Sequence, residues 1–361
     1  MLIRIFLSIT IASLMLILNT CKDNGIDSTI EPLSYMGFED KVVSRLLFVD
    51  PYLYVCAGRD GLWRINIVSM SNEWEFLGLE DTSLSSELPR GVLDVVVLDK
   101  DILVAYNEAG AHKEPQSTVG IWRSNNDGTS WFRSDSGVPE SITSEYEFNS
   151  FTAIKRSPHV ENILFSMIAP TVYKSIDNGH SWEIVKERRG YIHNYGSIKF
   201  NPNSYGEAWF FGETSVSSSF LFCTKDFGDS FQNEVDFSSL FGSSNLHFIQ
   251  DVCFDATNPD MIYVSLTNGL IKSNDGGYNW NLIKPDTPNE SRMFLLAEDF
   301  RQNNSIFCAG FNEVFHSNDG LMTVNLIATI TDNLILSIVF DEKSERLFIS
   351  TTNGIYSLKI N

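Results

Sequence analysis

Basic residues are scarce in this chain. Its 361 residues include 26 Lys and Arg against 46 Asp and Glu, which gives a formal net charge of −20. A surface this acidic repels phosphate backbones, so we exclude nucleic acid as a partner. It also repels anionic lipid headgroups, so contact with a membrane needs an anchor. Disordered and low-complexity classes are excluded because 43% of the residues are hydrophobic and only 20% are charged.

Metal-ligand and disulfide patterns are missing. No Cys-x-x-Cys pair occurs, and the six histidines show no metal-ligand spacing. We therefore predict no metal and no cofactor. Cys56, Cys223, Cys253 and Cys308 each lie in an apolar, strand-like run, at long and irregular spacing. Buried free thiols in separate strands fit this placement better than a disulfide framework does.

Only one long apolar run occurs, and it begins the chain. After Arg4, residues 5–18 read IFLSITIASLMLIL, a segment that is too short to span a bilayer comfortably. The next residues are Asn19-Thr20-Cys21. Leu18 to Cys21 resembles a bacterial lipoprotein signal in which Cys21 takes the lipid, although Asn19 departs from the usual pattern. An ordinary secretory signal followed by a chance cysteine is the alternative.

This resemblance implies a domain order and a location. Residues 1–20 would be a lipoprotein signal peptide, and residues 21–31, which are polar, would be a lipidated tether. The lipid would hold the protein on a membrane of the bacterial cell envelope, at the outer membrane or cell surface.

Aromatic residues and glycines, by contrast, are abundant and regularly placed. A strand that ends in Ser or Thr is followed by Asp or Asn, Gly and an aromatic residue. The five copies are Ser124-Asn126-Gly128-Trp131, Ser175-Asp177-Gly179-Trp182, Thr224-Asp226-Gly228-Phe231, Ser273-Asp275-Gly277-Trp280 and Ser317-Asp319, where Leu321 and Val324 replace the last two residues. Segments 61–65 and 354–358 keep only the strand. A period near 45–50 residues is typical of four-stranded propeller blades, so we predict an all-β, seven-bladed β-propeller over residues 32–361.

The last predicted blade lacks an outer strand. Residues 334–341, 346–351 and 354–360 supply three strands, and nothing is left for a fourth. Residues 32–37 form an extra strand ahead of the first blade. We predict that this N-terminal strand completes the seventh blade and closes the ring.

The turn sequence resembles the Asp box, or BNR repeat, of a family of propellers. These include sialidases, sortilin (VPS10)-like domains, xyloglucanase-type glycosidases and photosystem II assembly-factor-like proteins. The resemblance implies that the box lies between the third and fourth strands of a blade, away from the usual binding face. Its residues would then be structural, with the Asp accepting turn hydrogen bonds, the Gly allowing positive φ and the aromatic being buried. A Ca²⁺ site is the alternative reading of the turn oxygens.

The function is not determined by these motifs. The Arg-Ile-Pro segment of sialidases is absent, and Arg45, Arg59 and Arg90 read as solvated or turn-capping residues. We assign no catalytic residue. Two loops on the usual binding face carry candidate ligand-binding residues, namely Glu108, His112, Glu114, Arg188, Arg189, Tyr191 and His193.

We therefore expect a monomeric, membrane-anchored lipoprotein that binds a protein, peptide or glycan without catalysis. The alternative is a glycoside hydrolase or lyase, which would need two carboxylates a few ångströms apart.

The anchor is testable by substitution. Cys21→Ala removes the thiol that would carry the lipid, so it should release the protein from the membrane fraction. Fractionation and labelling with a fatty-acid analogue measure this. Membrane partitioning that persists in the variant, with no label on the parent, would contradict a lipidated Cys21.

Overall fold

The computed structural model describes most of the chain from Leu33 onward. The described residues are 33–69, 73–81, 90–108, 119–139, 151–168, 171–187, 196–215, 218–232, 234–235, 240, 248–267, 269–284 and 294–360. Residues 1–32 lie outside them. Within the described ranges, no helix is long and apolar enough to cross a bilayer.

The strands form seven separate antiparallel sheets, each of which is one blade. Blade 1 contains β2 (Arg45–Val49), β3 (Tyr52–Cys56), β4 (Leu62–Asn66) and β5 (Glu75–Gly78). Blade 2 contains β6 (Arg90–Leu98), β7 (Asp101–Glu108), β8 (Gly120–Ser124) and β9 (Phe132–Arg133). Blade 3 contains β10 (Phe151–Arg156), β11 (Leu164–Ile168), β12 (Thr171–Ser175) and β13 (Glu183–Lys186).

The second half of the ring follows the same plan. Blade 4 contains β14 (Gly196–Phe200), β15 (Ala208–Ser215) and β16 (Ser218–Thr224). Blade 5 contains β17 (Ile249–Phe254), β18 (Ile262–Leu266), β19 (Gly269–Ser273) and β20 (Asn281–Ile283). Blade 6 contains β21 (Leu295–Glu298), β22 (Ile306–Ala309), β23 (Glu313–Ser317) and β24 (Asn325–Thr329). Blade 7 contains β25 (Ile335–Asp341), β26 (Arg346–Thr351), β27 (Gly354–Lys359) and β1 (Ser34–Gly37).

These sheets confirm the predicted all-β, seven-bladed propeller. The repeat strand seen in the sequence is the third strand of every blade. Blade 4 differs from the prediction, because only three of its strands lie in the described residues. Beyond β16, Gln232 and Val235 still donate backbone hydrogen bonds to Cys223 and Leu221.

The hydrophobic core is divided among the blade interfaces. Among the residues that the structure describes, seven buried clusters occur, and each joins apolar side chains of two neighbouring blades. Trp182 of blade 3, for example, packs in the same cluster as Leu103 of blade 2. The cluster between blades 7 and 1 contains Phe348 and Leu53, so the ring is closed by apolar contact as well as by hydrogen bonds. Both faces of each sheet are covered in this way, which suits the continuous apolar runs of the second and third strands.

The four sequence-predicted cysteines lie in this core. Cys56, Cys223, Cys253 and Cys308 are buried, free and placed in four different strands, as expected. Burial raises the pKa of each thiol, to about 12 for Cys223. The thiols therefore stay protonated at neutral pH and behave as small apolar side chains.

The N-terminal strand closes the ring as predicted. β1 pairs antiparallel with β27, with Ser34 opposite Ser357 and Tyr35 opposite Tyr356. The indole of Trp74, in blade 1, donates from Nε1 to the carbonyl of Met36 at 2.7 Å. The closing strand is thus held by its own sheet and by the next blade.

Deleting residues 28–40 should destabilise the whole propeller, because it exposes the edge of β27 and removes the partner of Trp74. Thermal unfolding measures the effect, and a deletion of residues 22–27, outside the described strands, is the matched control. We expect the melting temperature to fall by several degrees in the first variant only. Equal melting temperatures would show that β1 does not hold the ring together.

Candidate functional site

The sequence-predicted ligand-binding residues are not among those whose side chains the structure describes. Glu108 ends β7, but its side chain lies outside the description. His112, Glu114, Arg188, Arg189, Tyr191 and His193 lie outside it completely, as does Cys21. These assignments therefore stay predictions.

The five sequence-predicted turns lie between the third and fourth strands and share one hydrogen-bond pattern. In blade 3, the Ser175 hydroxyl donates to Asp177 Oδ1 at 2.7 Å and accepts from the N–H of Gly179 at 2.8 Å. Asp177 Oδ1 also accepts from the N–H of Ser181 at 2.9 Å. The same bonds recur in the turns that begin at Ser124, Thr224, Ser273 and Ser317.

These bonds keep the turn carboxylates ionised. Hydrogen bonds from Asn279 and Ser273 lower the pKa of Asp275 to about 2. Burial acts to raise the pKa of Asp177, but the bonds from Ser181 and Ser175 outweigh it and lower the value. The carboxylate oxygens are occupied by donors of their own turn, which is the pattern of a structural turn.

The turn at Ser317 is more regular than its sequence indicates. Leu321 replaces the usual glycine, yet its N–H still donates to the Ser317 hydroxyl at 2.9 Å. Its φ is 64°, a left-handed value that leucine rarely adopts. The turn hydrogen bonds therefore hold a backbone conformation that the side chain disfavours.

Basic side chains of one blade bind the turn of the next. Arg64 of blade 1 makes a bidentate ion pair with Asp127 of blade 2, at 2.5 and 2.7 Å. Arg123 of blade 2 donates to the carbonyl of Asn178 in blade 3. Lys174 of blade 3 pairs with Asp229 of blade 4 at 3.1 Å. The turns are thus attachment points between blades.

The turn aromatics differ in burial, which corrects the expectation that all are buried. Trp182 is 4% exposed, whereas Trp131, Phe231 and Trp280 are only partly buried. The Nε1 groups of Trp131 and Trp182 donate to carbonyls of the preceding blade, on Leu77 and Ser134, both at 2.8 Å. Trp280 instead bonds Gly277 of its own turn at 3.1 Å. The indole hydrogen bond therefore links two blades at Trp131 and Trp182 but stays within the turn at Trp280, which contacts the preceding blade only through its ring, edge-on to Trp209 at 5.9 Å.

A second set of polar contacts lies on the innermost strands, which surround the central channel. Seven inner-strand residues, one in each blade, lie at the same height in the channel. Each is paired with a second-strand residue, and that residue is paired with the first apolar residue of the third-strand repeat, such as Ile121 in blade 2. In blade order they are Arg45, Asp94, Ala153, Ser197, Asp251, Leu295 and Ser337. Five of the seven are polar or charged.

Three of these side chains cap the inner strand of the following blade. Asp94 accepts from the N–H of Ile154 at 3.0 Å, and Asp251 accepts from the N–H of Leu296 at 3.1 Å. The Ser337 hydroxyl accepts from the N–H of Leu46 at 3.3 Å. The innermost strand has no neighbour on its channel side, so its amides need such partners.

The first channel group, which we call the basic cluster, consists of Arg45, Asp94 and Lys155. Arg45 Nη1 lies 3.3 Å from Asp94 Oδ2, and Lys155 Nζ lies 2.7 Å from Asp94 Oδ1. The Asp94 side chain is fully buried, and it also accepts from the N–H groups of Val95 and Ile154. Burial lowers the pKa of Lys155 despite the attraction of Asp94, and Arg45 adds to the lowering. One carboxylate therefore serves two cations.

The second channel group, the acidic cluster, consists of Lys199, Asp251 and Glu298. Lys199 Nζ lies 3.1 Å from Asp251 Oδ1 and 3.9 Å from Glu298 Oε1, and it donates to the carbonyl of Leu296 at 3.4 Å. Burial acts to lower the pKa of Lys199, but the two carboxylates outweigh it and raise the value. In the acidic cluster one cation is paired with two carboxylates, whereas in the basic cluster one carboxylate is paired with two cations.

Arg45 connects the two sides of the channel. Its Nη1 donates weakly, at 3.5 Å, to the hydroxyl of Ser197 in blade 4. The prediction that Arg45 is a solvated or turn-capping residue is therefore wrong. The other channel residues were missed, because inner strands carry no motif and their level is known only from the strand register. No group of three or more His, Cys, Asp and Glu residues in the described ranges is arranged to hold a metal ion.

Comparisons with known proteins support the fold. No protein-family model and no curated protein matches the sequence. Among solved structures, a GH74 enzyme of Niastella koreensis is similar with a TM-score of 0.67 and 16% identity, over 91% of this chain and 53% of that one. The chain thus spans about half the length of that enzyme.

Two further structures have the same fold. YCF48 bound to D1 peptide matches with a TM-score of 0.64 and 16% identity, over 94% of this chain and 98% of that one. The extracellular domain of the hybrid two-component system BT4673 of B. thetaiotaomicron matches with a TM-score of 0.61 and 14% identity, over 91% of this chain and 39% of that one. At these identities the similarity supports the fold alone, a seven-bladed β-propeller. The similar structures include both an enzyme and a peptide complex, so they do not decide between catalysis and binding.

The turn residues should contribute to stability according to their burial. Trp182→Ala leaves a large cavity between blades 2 and 3 and should cost about 3–5 kcal/mol in the free energy of unfolding. Asp177→Ala loses only turn hydrogen bonds and should cost about 1–2 kcal/mol. Chemical denaturation measures both, with Trp280→Ala as a control for a partly exposed aromatic. If Trp182→Ala cost no more than Trp280→Ala, the deeper burial of Trp182 and its hydrogen bond to blade 2 would not be important for stability.

Proposed function

We propose that this protein is a membrane-anchored lipoprotein of the bacterial cell envelope whose propeller binds a protein, peptide or glycan without catalysis. The organisation of charge in the channel carries the proposal. Both clusters are ion-paired and hydrogen-bonded into the blades, which suits a preformed binding surface. Lipidation of Cys21 would place that surface outside the membrane.

The peptide complex of the YCF48 propeller is consistent with this proposal. That propeller is matched over nearly its whole length, whereas the GH74 enzyme is about twice as long as the matched part. A single propeller of this size is therefore compatible with peptide binding. The binding face in the proposal is the one that carries the predicted loop residues between Asn107 and Ser117 and between Glu187 and Ser197.

A glycoside hydrolase or lyase is the second candidate, and one observation favours it. Asp251 and Glu298 contact the same Lys199 nitrogen at 3.1 and 3.9 Å, so these carboxylate oxygens are about 7 Å apart or less. A glycosidase pair, however, needs one protonated carboxyl as general acid. Both carboxylates are instead ion-paired with the Lys199 ammonium, and this favours the binding function.

The proposal is tested with variants of the two loops. Joint alanine substitution of Glu108, His112 and Glu114, or of Arg188, Arg189, Tyr191 and His193, should weaken binding at least about tenfold and leave the melting temperature nearly unchanged. The ligands to screen are a glycan panel and proteins captured by cross-linking on intact cells.

Asp177→Ala, on the opposite face, is the matched control and should bind normally in the fraction that folds. Loss of binding in this control at full stability, with normal binding by the loop variants, would place the binding face on the wrong side. Turnover of any glycan that is abolished by Glu298→Gln would instead establish the enzymatic candidate.

A further inference from the structure

The two channel clusters carry opposite excess charge. The basic cluster has two cations and one carboxylate, and the acidic cluster has one cation and two carboxylates. The first belongs to blades 1–3 and the second to blades 4–6. The channel is therefore electrically polarised from one side to the other, although the two clusters together are neutral.

The basic cluster has donors to spare. Both oxygens of Asp94 are fully used, by two backbone N–H groups, Lys155 and Arg45. A guanidinium has five N–H donors and an ammonium has three. In the described residues, Arg45 donates only to Asp94 and Ser197, and Lys155 donates only to Asp94. Their side chains are 29% and 24% exposed, so neither cation is completely closed off from solvent.

The acidic cluster has acceptors to spare. Glu298 meets Lys199 at 3.9 Å, which is an ion pair but too long for a hydrogen bond. No other described partner contacts its carboxylate, and the side chain is 19% exposed. The Lys199 ammonium is held away from Glu298 because it also contacts Asp251 and the carbonyl of Leu296.

The basic cluster reaches the strand that carries Lys199 of the acidic cluster. Arg45 already reaches Ser197, which precedes Lys199 by two residues on β14. Residues at this spacing lie on the same side of a strand, roughly 7 Å apart. A molecule with an anionic end and a cationic end therefore matches the arrangement of charge, and its length is the variable to test.

We propose that the channel contains a subsite for a small dipolar ligand, with its carboxylate on Arg45 and Lys155 and its ammonium group on Glu298. Amino acids and related zwitterions are the chemical class. Their lack of net charge also matters, because a chain of net charge −20 repels a free anion at long range but does not repel a zwitterion. This inference deepens the proposed binding function and rests on it, since it names the ligand class of the channel.

The probes are ω-amino acids of increasing length, namely glycine, β-alanine, 4-aminobutyrate and 6-aminohexanoate. Butyrate and butylammonium carry only one of the two charges and are the matched controls. Titration calorimetry on the full chain in detergent should show that at least one ω-amino acid binds about tenfold or more tightly than either control. If every probe fails to bind, or if butyrate and the best zwitterion bind equally, the subsite does not exist.

Variants then assign the two ends. Arg45→Gln and Glu298→Gln should each weaken the best zwitterion about tenfold or more, and Arg45→Lys should restore part of the loss. In Glu298→Gln, the zwitterion and its carboxylate-only control should bind alike, because the ammonium has lost its partner. Lys343→Gln removes an exposed ion pair with Asp50 at the far end of the inner strands and should change nothing.

Melting curves of each variant separate lost binding from lost folding. Equal weakening by Lys343→Gln and Arg45→Gln would overturn the assignment. Because the probes are small and need no protein partner, this experiment is independent of the loop variants. If a zwitterion binds but the loop variants do not weaken binding of any partner, only the proposed loop face is refuted. If the loop variants weaken partner binding but no zwitterion binds, only the subsite is refuted.

Discussion

Each sheet of this propeller is confined to one blade, so the blades are held together mainly by side chains. In the described residues, seven apolar clusters fill the interfaces, one at each. Apolar contact alone is not directional, and it leaves the angle between neighbouring blades weakly determined. The polar contacts between blades fix that angle, and they occur at two levels, the third-to-fourth-strand turns and the channel.

The two levels use different chemistry for the same task. At the turns, cations such as Arg64 and Lys174 reach forward to oxygens of the next blade. In the channel, carboxylates such as Asp94 and Asp251 reach forward to backbone N–H groups of the next inner strand. At the turns, Lys174 is paired with one carboxylate, Asp229, and Arg64 with two, Asp127 and Glu75. The channel contacts bring extra cations to one side and extra carboxylates to the other, so polarity there results from how the ring is held together.

The sequence predicted the ring well because its signal is repetitive and local. Five turns and seven third strands at blade spacing indicate the fold, and a missing outer strand after Gly354 indicates closure by the N-terminal strand. The bond from Trp74 to the preceding blade was not predicted from the sequence. Trp74 takes the place that Trp131 has in blade 2, but the Ser-x-Asp-x-Gly residues of the turn do not precede it. Arg45 and Asp94 were missed for a different reason. Their meeting depends on the register and bulges of inner strands from different blades, which no local pattern encodes.

The closing strand has a mechanical consequence. β1 is the first described strand, and the chain that precedes it would carry the lipid in the proposed anchoring. A pull on that segment reaches the ladder between β1 and β27 before it reaches any other blade. This ladder is short, but Trp74 adds a bond from blade 1 to Met36 within β1 itself. Tension on the tether is therefore shared between the last blade and the first, and it enters the ring at its seam.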